Sequence, residues 1–222
     1  IILLACGMEA ETFGDRLPSW LKLGGEYRAR LEGFGGGSFK EDNDDLYFLN
    51  GLRINLRLQP ASWLKFNVQG QDARVYAKTL KPYAPPFQDR VVLRMAFMEV
   101  GDTEKGKFSL RVGRQELAFG EQRLVGHVSW LNTARSFDAV RATFRHKNYR
   151  LDAFAASVVN ARDGEFNRHA DGNNLHGLYG GIQKLVPRAE IEPYFFWRLA
   201  PQIAAETGAA GNLDLKTIGV RI

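Results

Sequence analysis

The chain has 222 residues, of which 45% are hydrophobic and 25% charged, and its 30 Lys and Arg outnumber its 25 Asp and Glu. A single cysteine excludes a disulfide framework, and scattered glycine excludes a collagen-like chain. No apolar run reaches the ~20 residues of a spanning helix, but the alternating strands of a transmembrane barrel would escape that test.

The first ten residues are predicted to stand outside the fold. The run Ile1–Gly7 is largely apolar and starts without Met, as the end of a signal peptide would. Residues 1–10 are therefore assigned to a signal-peptide remnant or disordered leader, and residues 11–222 to strands with alternating short turns and long loops. Cys6 is either lipidated, because Leu3-Leu4-Ala5-Cys6 is similar to a lipoprotein processing motif with a poor match at Leu4, or has no special role.

Ten strands are predicted because apolar and polar residues alternate with period two. The clearest spans 21–33, where Leu23, Tyr27 and Leu31 alternate with Glu26 and Arg28. The others begin near Phe48, Leu64, Val91, Lys107, Phe137, Tyr149, Leu175, Glu190 and Leu213. A slip in the alternation near Gly70 predicts a β-bulge.

The connections between these strands alternate between short and long. The short turns are Gln59–Ser62, Gly101–Gly106, His146–Asn148 and Val186–Arg188; the long links are Phe34–Asp45, Ala77–Arg90, Ala118–Ser136, Ala161–Asn174 and Ala200–Asn212. Short turns at one end and long loops at the other are typical of outer-membrane barrels, and strands of ~9–13 residues are long enough to cross a bilayer. The sequence therefore predicts an all-β, antiparallel, up-and-down transmembrane barrel.

If the polar strand faces point inward, the lumen is rich in arginine. The predicted lumen residues are Arg28, Arg53, Arg57, Arg74, Arg94, Arg111, Arg114, Glu116, Arg135 and Arg141. Cationic rings favour anions, although these side chains could instead only satisfy one another across strands. The link Ala118–Ser136 either folds into the lumen as a constriction or packs on the rim.

No pattern predicts catalysis, a metal or a cofactor. The acidic run Glu41–Asp45 lacks the spacing of a calcium loop and is read as a solvated loop. The four histidines show no metal-binding pair, and no nucleotide-binding or nucleophile motif is present. The protein is therefore predicted not to be an enzyme.

Two segments, Gly113–Gly126 and Trp130–Asp138, resemble the alginate-export family of outer-membrane porins. That resemblance extends over about Ser19 to Ile222, with G-R-Q-E-L as its most specific part. It implies a monomeric barrel of about eighteen strands, in the outer membrane of a Gram-negative bacterium, that passes the polyanion alginate. With about ten strands, the chain is predicted to be the amino-terminal part of such a barrel.

The implied partners are outer-membrane lipid, an anionic polysaccharide or other anionic solute, and periplasmic secretion components, without nucleic acid. Glu116 departs from the resemblance, because family members dedicated to alginate export can carry a basic residue directly after G-R-Q. The alternative is a soluble basic β-barrel that binds nucleic acid or glycan through its Arg-rich face.

Overall fold

The computed structural model describes residues 2–10, 17–102, 104–204 and 207–222 and folds them into one antiparallel sheet. Its eleven strands lie in chain order, each hydrogen-bonded to the next. They are β1 (Ile2–Ala10), β2 (Leu21–Phe34), β3 (Asp45–Ala61), β4 (Leu64–Tyr76), β5 (Asp89–Gly101), β6 (Phe108–Gln115), β7 (Phe137–His146), β8 (Tyr149–Asn160), β9 (Arg168–Val186), β10 (Ala189–Ala204) and β11 (Ala210–Arg221). The predicted all-β meander is confirmed.

The sheet is open, since β1 and β11 are its two edges and do not pair with each other within the described ranges. Two one-turn 3-10 helices, Gly37–Phe39 and Gly120–Gln122, interrupt the long connections. In the described part of the chain no helix is both long and apolar enough to cross a membrane. The fold is that of a partial barrel.

The alternation of connection lengths is present in the structure. Residues 62–63, 102–107, 147–148 and 187–188 connect strands at one end, and residues 35–44, 77–88, 116–136, 161–167 and 205–209 at the other. The last two long connections are shorter than predicted. In the structure the paired strands β8–β9 and β10–β11 extend beyond the residues that alternate between apolar and polar. Their ends are largely exposed on both faces, so the residues there need no apolar side and do not show the alternation.

Residues 2–10 differ from the prediction, which kept them outside the fold. The structure pairs β1 with β2 in an unbroken antiparallel register from Ile2 opposite Gly33 to Ala10 opposite Gly25. The backbone groups of β2 would otherwise lie at an open edge, and a neighbouring strand satisfies them whether or not its own sequence alternates. The origin of this segment as a signal-peptide remnant stays a prediction, and residues 1 and 11–16 lie outside the described ranges.

The two faces of the sheet differ in chemistry. One, the outer face, carries large apolar side chains that nothing in the described chain covers, among them Ile54 (52% exposed), Phe144 (52%) and Leu178 (47%). A soluble protein seldom leaves a contiguous apolar surface of this kind open to water. In a membrane barrel the same surface faces lipid.

The other, the inner face, is covered by the connection 116–136. Leu117, Phe119 and Val125 of this connection are buried against Phe154 of β8 and Tyr179 of β9. The rings of Phe119 and Tyr179 stack with their centroids 5.0 Å apart. The hydrophobic core therefore lies between this connection and the sheet, and not between two sheets.

Candidate functional site

Charged side chains from consecutive strands meet on the inner face. Arg53 of β3 lies between Glu26 of β2, 3.3 Å from its carboxylate, and Gln71 of β4, to which its Nε donates at 2.8 Å. The register explains this row, because Glu26, Arg53 and Gln71 are direct cross-strand neighbours. Inward polar residues in adjacent strands thus form one lateral row.

At other levels of the inner face, two carboxylates each bind two cations. Glu99 of β5 accepts from Arg111 Nε at 2.9 Å and lies 3.3 Å from Lys65 Nζ. Asp152 of β8 accepts from Arg141 Nη2 at 2.8 Å and lies 3.1 Å from Arg150 Nε. Such sharing neutralises part of the cationic charge and fixes the side chains in place.

Arg94 reaches the inner face through a bulge in β5. Gln69 is opposite Met95, whereas Gly70 is opposite Leu93, so Arg94 is the extra residue. A bulge turns its side chain to the same face as Met95, where it pairs with Gln69 and with Glu116. The predicted bulge near Gly70 exists, but the inserted residue belongs to β5 and not to β4.

Two neighbouring cations on the inner face have no anionic partner in the described part of the chain. Lys22 and Arg57 face each other directly across β2 and β3, and both are exposed. Neither makes an ion pair or side-chain hydrogen bond with the rest of the described chain. Both line a cavity of about 810 Å³, together with Asn55, Asn67, Met95, Phe97, Arg111 and Glu116. This cavity is the candidate site for an anion on the inner face.

The connection 116–136 is fixed across the inner face by strands far from its own ends. Arg28 of β2 donates to the carbonyls of Ser129 and Leu131 at 2.9 and 3.0 Å. Arg30, which is 3% exposed, donates to the carbonyl of Trp130 at 2.6 Å, with its guanidinium 4.2 Å from the centre of that ring. The connection therefore lies across the inner face of the sheet, and a constriction of the lumen by it stays a prediction.

Two predicted lumen residues lie on the opposite face. Arg74 is 44% exposed and pairs with Asp72 at 2.8 Å on the outer face. Because the extra residue sits in β5, β4 keeps its alternation through Gly70, with Gln71 and Ala73 buried and Arg74 turned outward. The inward placement of Arg74 was wrong.

Arg114 is the second of these corrections. Arg111 and Arg114 are three positions apart, so an uninterrupted strand cannot turn both to one face. The Arg114 guanidinium binds Asp138 on the outer face at 2.8 Å and donates to the carbonyl of Leu93 at 3.2 Å, with Phe166 covering it. It joins β5, β6 and β7 and does not reach the lumen.

The other predicted residues lie near the cavity or in the connection. Glu116 lines the cavity and lies 3.9 Å from His127 Nε2. The Arg135 side chain is exposed, and its backbone N–H donates to the carbonyl of His127 at 2.7 Å. Sequence reasoning missed Lys22 and Asp152 as site residues, although both follow the inward parity of their strands and could have been found by it.

The long connections outside the strands are held by short polar contacts. Asp44 accepts from the Gly36 N–H at 2.7 Å, and no group of three or more potential metal ligands occurs in the described ranges. Asp163 of the connection 161–167 binds Arg90 through both of its carboxylate oxygens, at 2.9 and 3.0 Å. The Arg90 guanidinium holds the pKa of Asp163 below its usual range.

Comparison with protein families agrees with this arrangement. The profile of the alginate export family matches residues 19–222. The chain belongs to the alginate-export family. This membership confirms the resemblance and points to polysaccharide export at the outer membrane, a transport activity and not a catalytic one. No curated protein matches the chain.

Proposed function

We propose that this alginate-export family member is an outer-membrane porin of a Gram-negative bacterium that passes an anionic polysaccharide of the polyuronate type. The observation that carries the proposal is the unneutralised pair Lys22 and Arg57 at the 810 Å³ cavity. A guanidinium offers two parallel donors to a carboxylate, and a second cation beside it raises the local anion concentration. The polar amides of Asn55 and Asn67 suit sugar hydroxyls.

Mixed charge on the rest of the inner face supports transport over tight binding. Arg53, Lys65, Arg94, Arg111 and Arg141 each have a carboxylate partner on the inner face. A passing polyanion would have to compete with these carboxylates, so each site would bind it weakly. Conduction requires binding strong enough for a solute to enter and weak enough for it to leave.

The surroundings of the sheet fit the same proposal. The exposed apolar outer face would contact the lipid of the outer membrane. The connection 116–136 would set the width of the path. A monomeric state and contact with periplasmic secretion components stay predictions from the family resemblance.

The test is the reversal potential of full-length protein in planar bilayers under a salt gradient. The wild type should pass anions in preference to cations. Replacing Lys22 and Arg57 together by Ala should lower that preference, more at ~0.1 M than at ~1 M salt, because the Debye length falls from ~10 to ~3 Å. Replacing Arg188, in the exposed turn 187–188, should change nothing. A wild-type pore that prefers cations would overturn the proposal.

A further inference from the structure

A stack of aromatic rings lies on the inner face over β8–β10. It consists of Phe119, Phe154, Tyr179, Tyr194 and Phe196. The Tyr194 ring is nearly parallel to its neighbours, with its centroid 5.2 Å from that of Phe196 and 6.3 Å from that of Tyr179. The other four rings are buried, whereas Tyr194 is only partly buried. Tyr194 is therefore the ring of this stack that a solute in the lumen can reach.

A glycine on the neighbouring strand makes room for this ring. Gly219 of β11 is the direct partner of Tyr194 on the inner face. A β-carbon added at Gly219 would collide with the Tyr194 hydroxyl. The Tyr194 ring therefore extends over the backbone of β11, where a larger side chain would displace it.

A cavity of about 380 Å³ opens at this end of the aromatic stack. Its lining includes Tyr194 and Phe196 of β10, Gly120, Arg123 and Leu124 of the connection 116–136, and Arg221 of β11. Ligand pockets of ~300–1,000 Å³ are mostly apolar, with a few polar groups that orient the ligand. The two arginines are the charged groups among the lining residues, so the cavity combines an aromatic wall with cations.

Arg123 is the less occupied of these two arginines. Arg221 pairs with Glu192 and lies 2.7 Å from Glu121. The Arg123 side chain is 77% exposed and lies farther from Glu121, at 3.5 Å. Within the described ranges, the connected ion pairs join four arginines to three carboxylates: Arg123, Arg141, Arg150 and Arg221 with Glu121, Asp152 and Glu192. One cation is in excess, and the Arg123 guanidinium keeps N–H donors for a carboxylate.

We propose that this cavity binds one sugar of the polyuronate, with the apolar face of the pyranose ring on Tyr194 and its carboxylate at Arg123. The C–H groups of a pyranose face complement the partial negative charge of an aromatic face. A carboxylate accepts two parallel hydrogen bonds from a guanidinium. The inference rests on the proposed function and adds to it a second site that recognises the sugar ring together with its charge. Lys22 and Arg57 lie near the other end of the strand order, on β2 and β3.

Calorimetric titration of the full-length protein in detergent with trimannuronate tests this site. The reference is the Lys22→Ala, Arg57→Ala protein, because its other anion site is removed. In that reference, Tyr194→Leu keeps an apolar side chain without an aromatic face and should weaken binding about threefold to tenfold. Arg123→Ala, at an exposed position, should weaken binding about tenfold at ~0.1 M salt and less at ~1 M salt.

Three controls isolate the two contacts. Tyr194→Phe keeps the aromatic face and should bind trimannuronate like the reference. Arg188→Ala removes an arginine from an exposed turn outside the cavity and should change nothing. Mannotriose, a neutral sugar, should bind more weakly than trimannuronate, and Arg123→Ala should not alter its binding.

Unchanged affinity in both Tyr194→Leu and Arg123→Ala would overturn the inference. A loss in only one of them would overturn it too, because Arg123→Ala alone indicates an anion site and Tyr194→Leu alone a site for an apolar ligand. A reference protein that binds no trimannuronate would also reject this site. Reversal potentials separate the two proposals, since a wild-type pore that prefers anions while either of these results holds rejects this site and not the proposed function.

Discussion

Replacing Ile54 by Arg tests which face of the sheet meets lipid. Ile54 is 52% exposed on β3, so the substitution removes little packing. The residue lies near the middle of β3, nine positions from Asp45 and seven from Ala61. A strand that spans the membrane brings its middle residues close to the midplane of an apolar band ~25 Å tall.

The expected cost follows from this depth. Arg near the middle of the band lowers the free energy of unfolding by about 2–4 kcal/mol, or roughly 30- to 700-fold in the folded-to-unfolded ratio. The same change at a water-exposed position would stay within about 0.5 kcal/mol. A lipid-facing and a water-facing Ile54 therefore predict losses of unfolding free energy that differ enough to be distinguished.

Gly24→Arg is the matched control, because Gly24 lies on β2 one residue from Gly25, the direct partner of Ile54. A side chain added at Gly24 meets nothing within 4 Å and points to the inner cavity. Urea unfolding of full-length protein in lipid vesicles should show a large loss for Ile54→Arg and little for Gly24→Arg. Equal stability of Ile54→Arg and the wild type, or the reverse order, would refute the assignment of the faces.

Three further outcomes are expected. Arg30→Ala should lower the free energy of unfolding by about 1–3 kcal/mol, because Glu32, which is partly exposed, loses a charged hydrogen-bond partner at 2.6 Å. It should also raise single-channel conductance, because the connection 116–136 loosens. Unchanged conductance would argue against a constriction. Arg90 lowers the pKa of Asp163, so this ion pair holds the connection 161–167 in place at any pH above the ordinary carboxyl pKa of 3.8. The contact weakens as the pH falls through the lowered pKa. Iodide quenching of a fluorophore in that connection should therefore rise only in acid. A tag at Gly36 should be reached by antibody on intact cells, whereas exclusion would invert the topology.

Period-two alternation was sufficient to predict most strands and their faces. It predicted Phe137–His146 and Tyr149–Asn160 with the bounds that the structure has for β7 and β8. Arg28, Arg53 and Arg57 lie on the predicted inner face because their strands alternate without interruption. Where the alternation within a strand alone decides which face its side chains occupy, the sequence is sufficient to predict that face.

The errors arose where one strand depends on its neighbour. The alternation of β4 gave no sign that the extra residue near Gly70 is Arg94 on β5, so Arg74 was turned to the wrong face. Arg114 was placed in the lumen with the other polar residues of the strands, although it lies three positions from Arg111 and strict alternation puts the two on opposite faces. The attachment of the connection 116–136 to Arg28 was not predictable, because those residues are about a hundred positions apart.

Block of the pore by a polyuronate is the most direct test of the central claim, an arginine-rich path for a polyanion. In planar bilayers at ~0.1 M salt, polyuronate added on the side of the short turns should reduce the anion current. Block should be weaker at ~1 M salt, where screening is stronger, and weaker for Arg57→Ala than for wild type. A current that the polyuronate leaves unchanged at low salt would contradict the account, even if the barrel itself is correct.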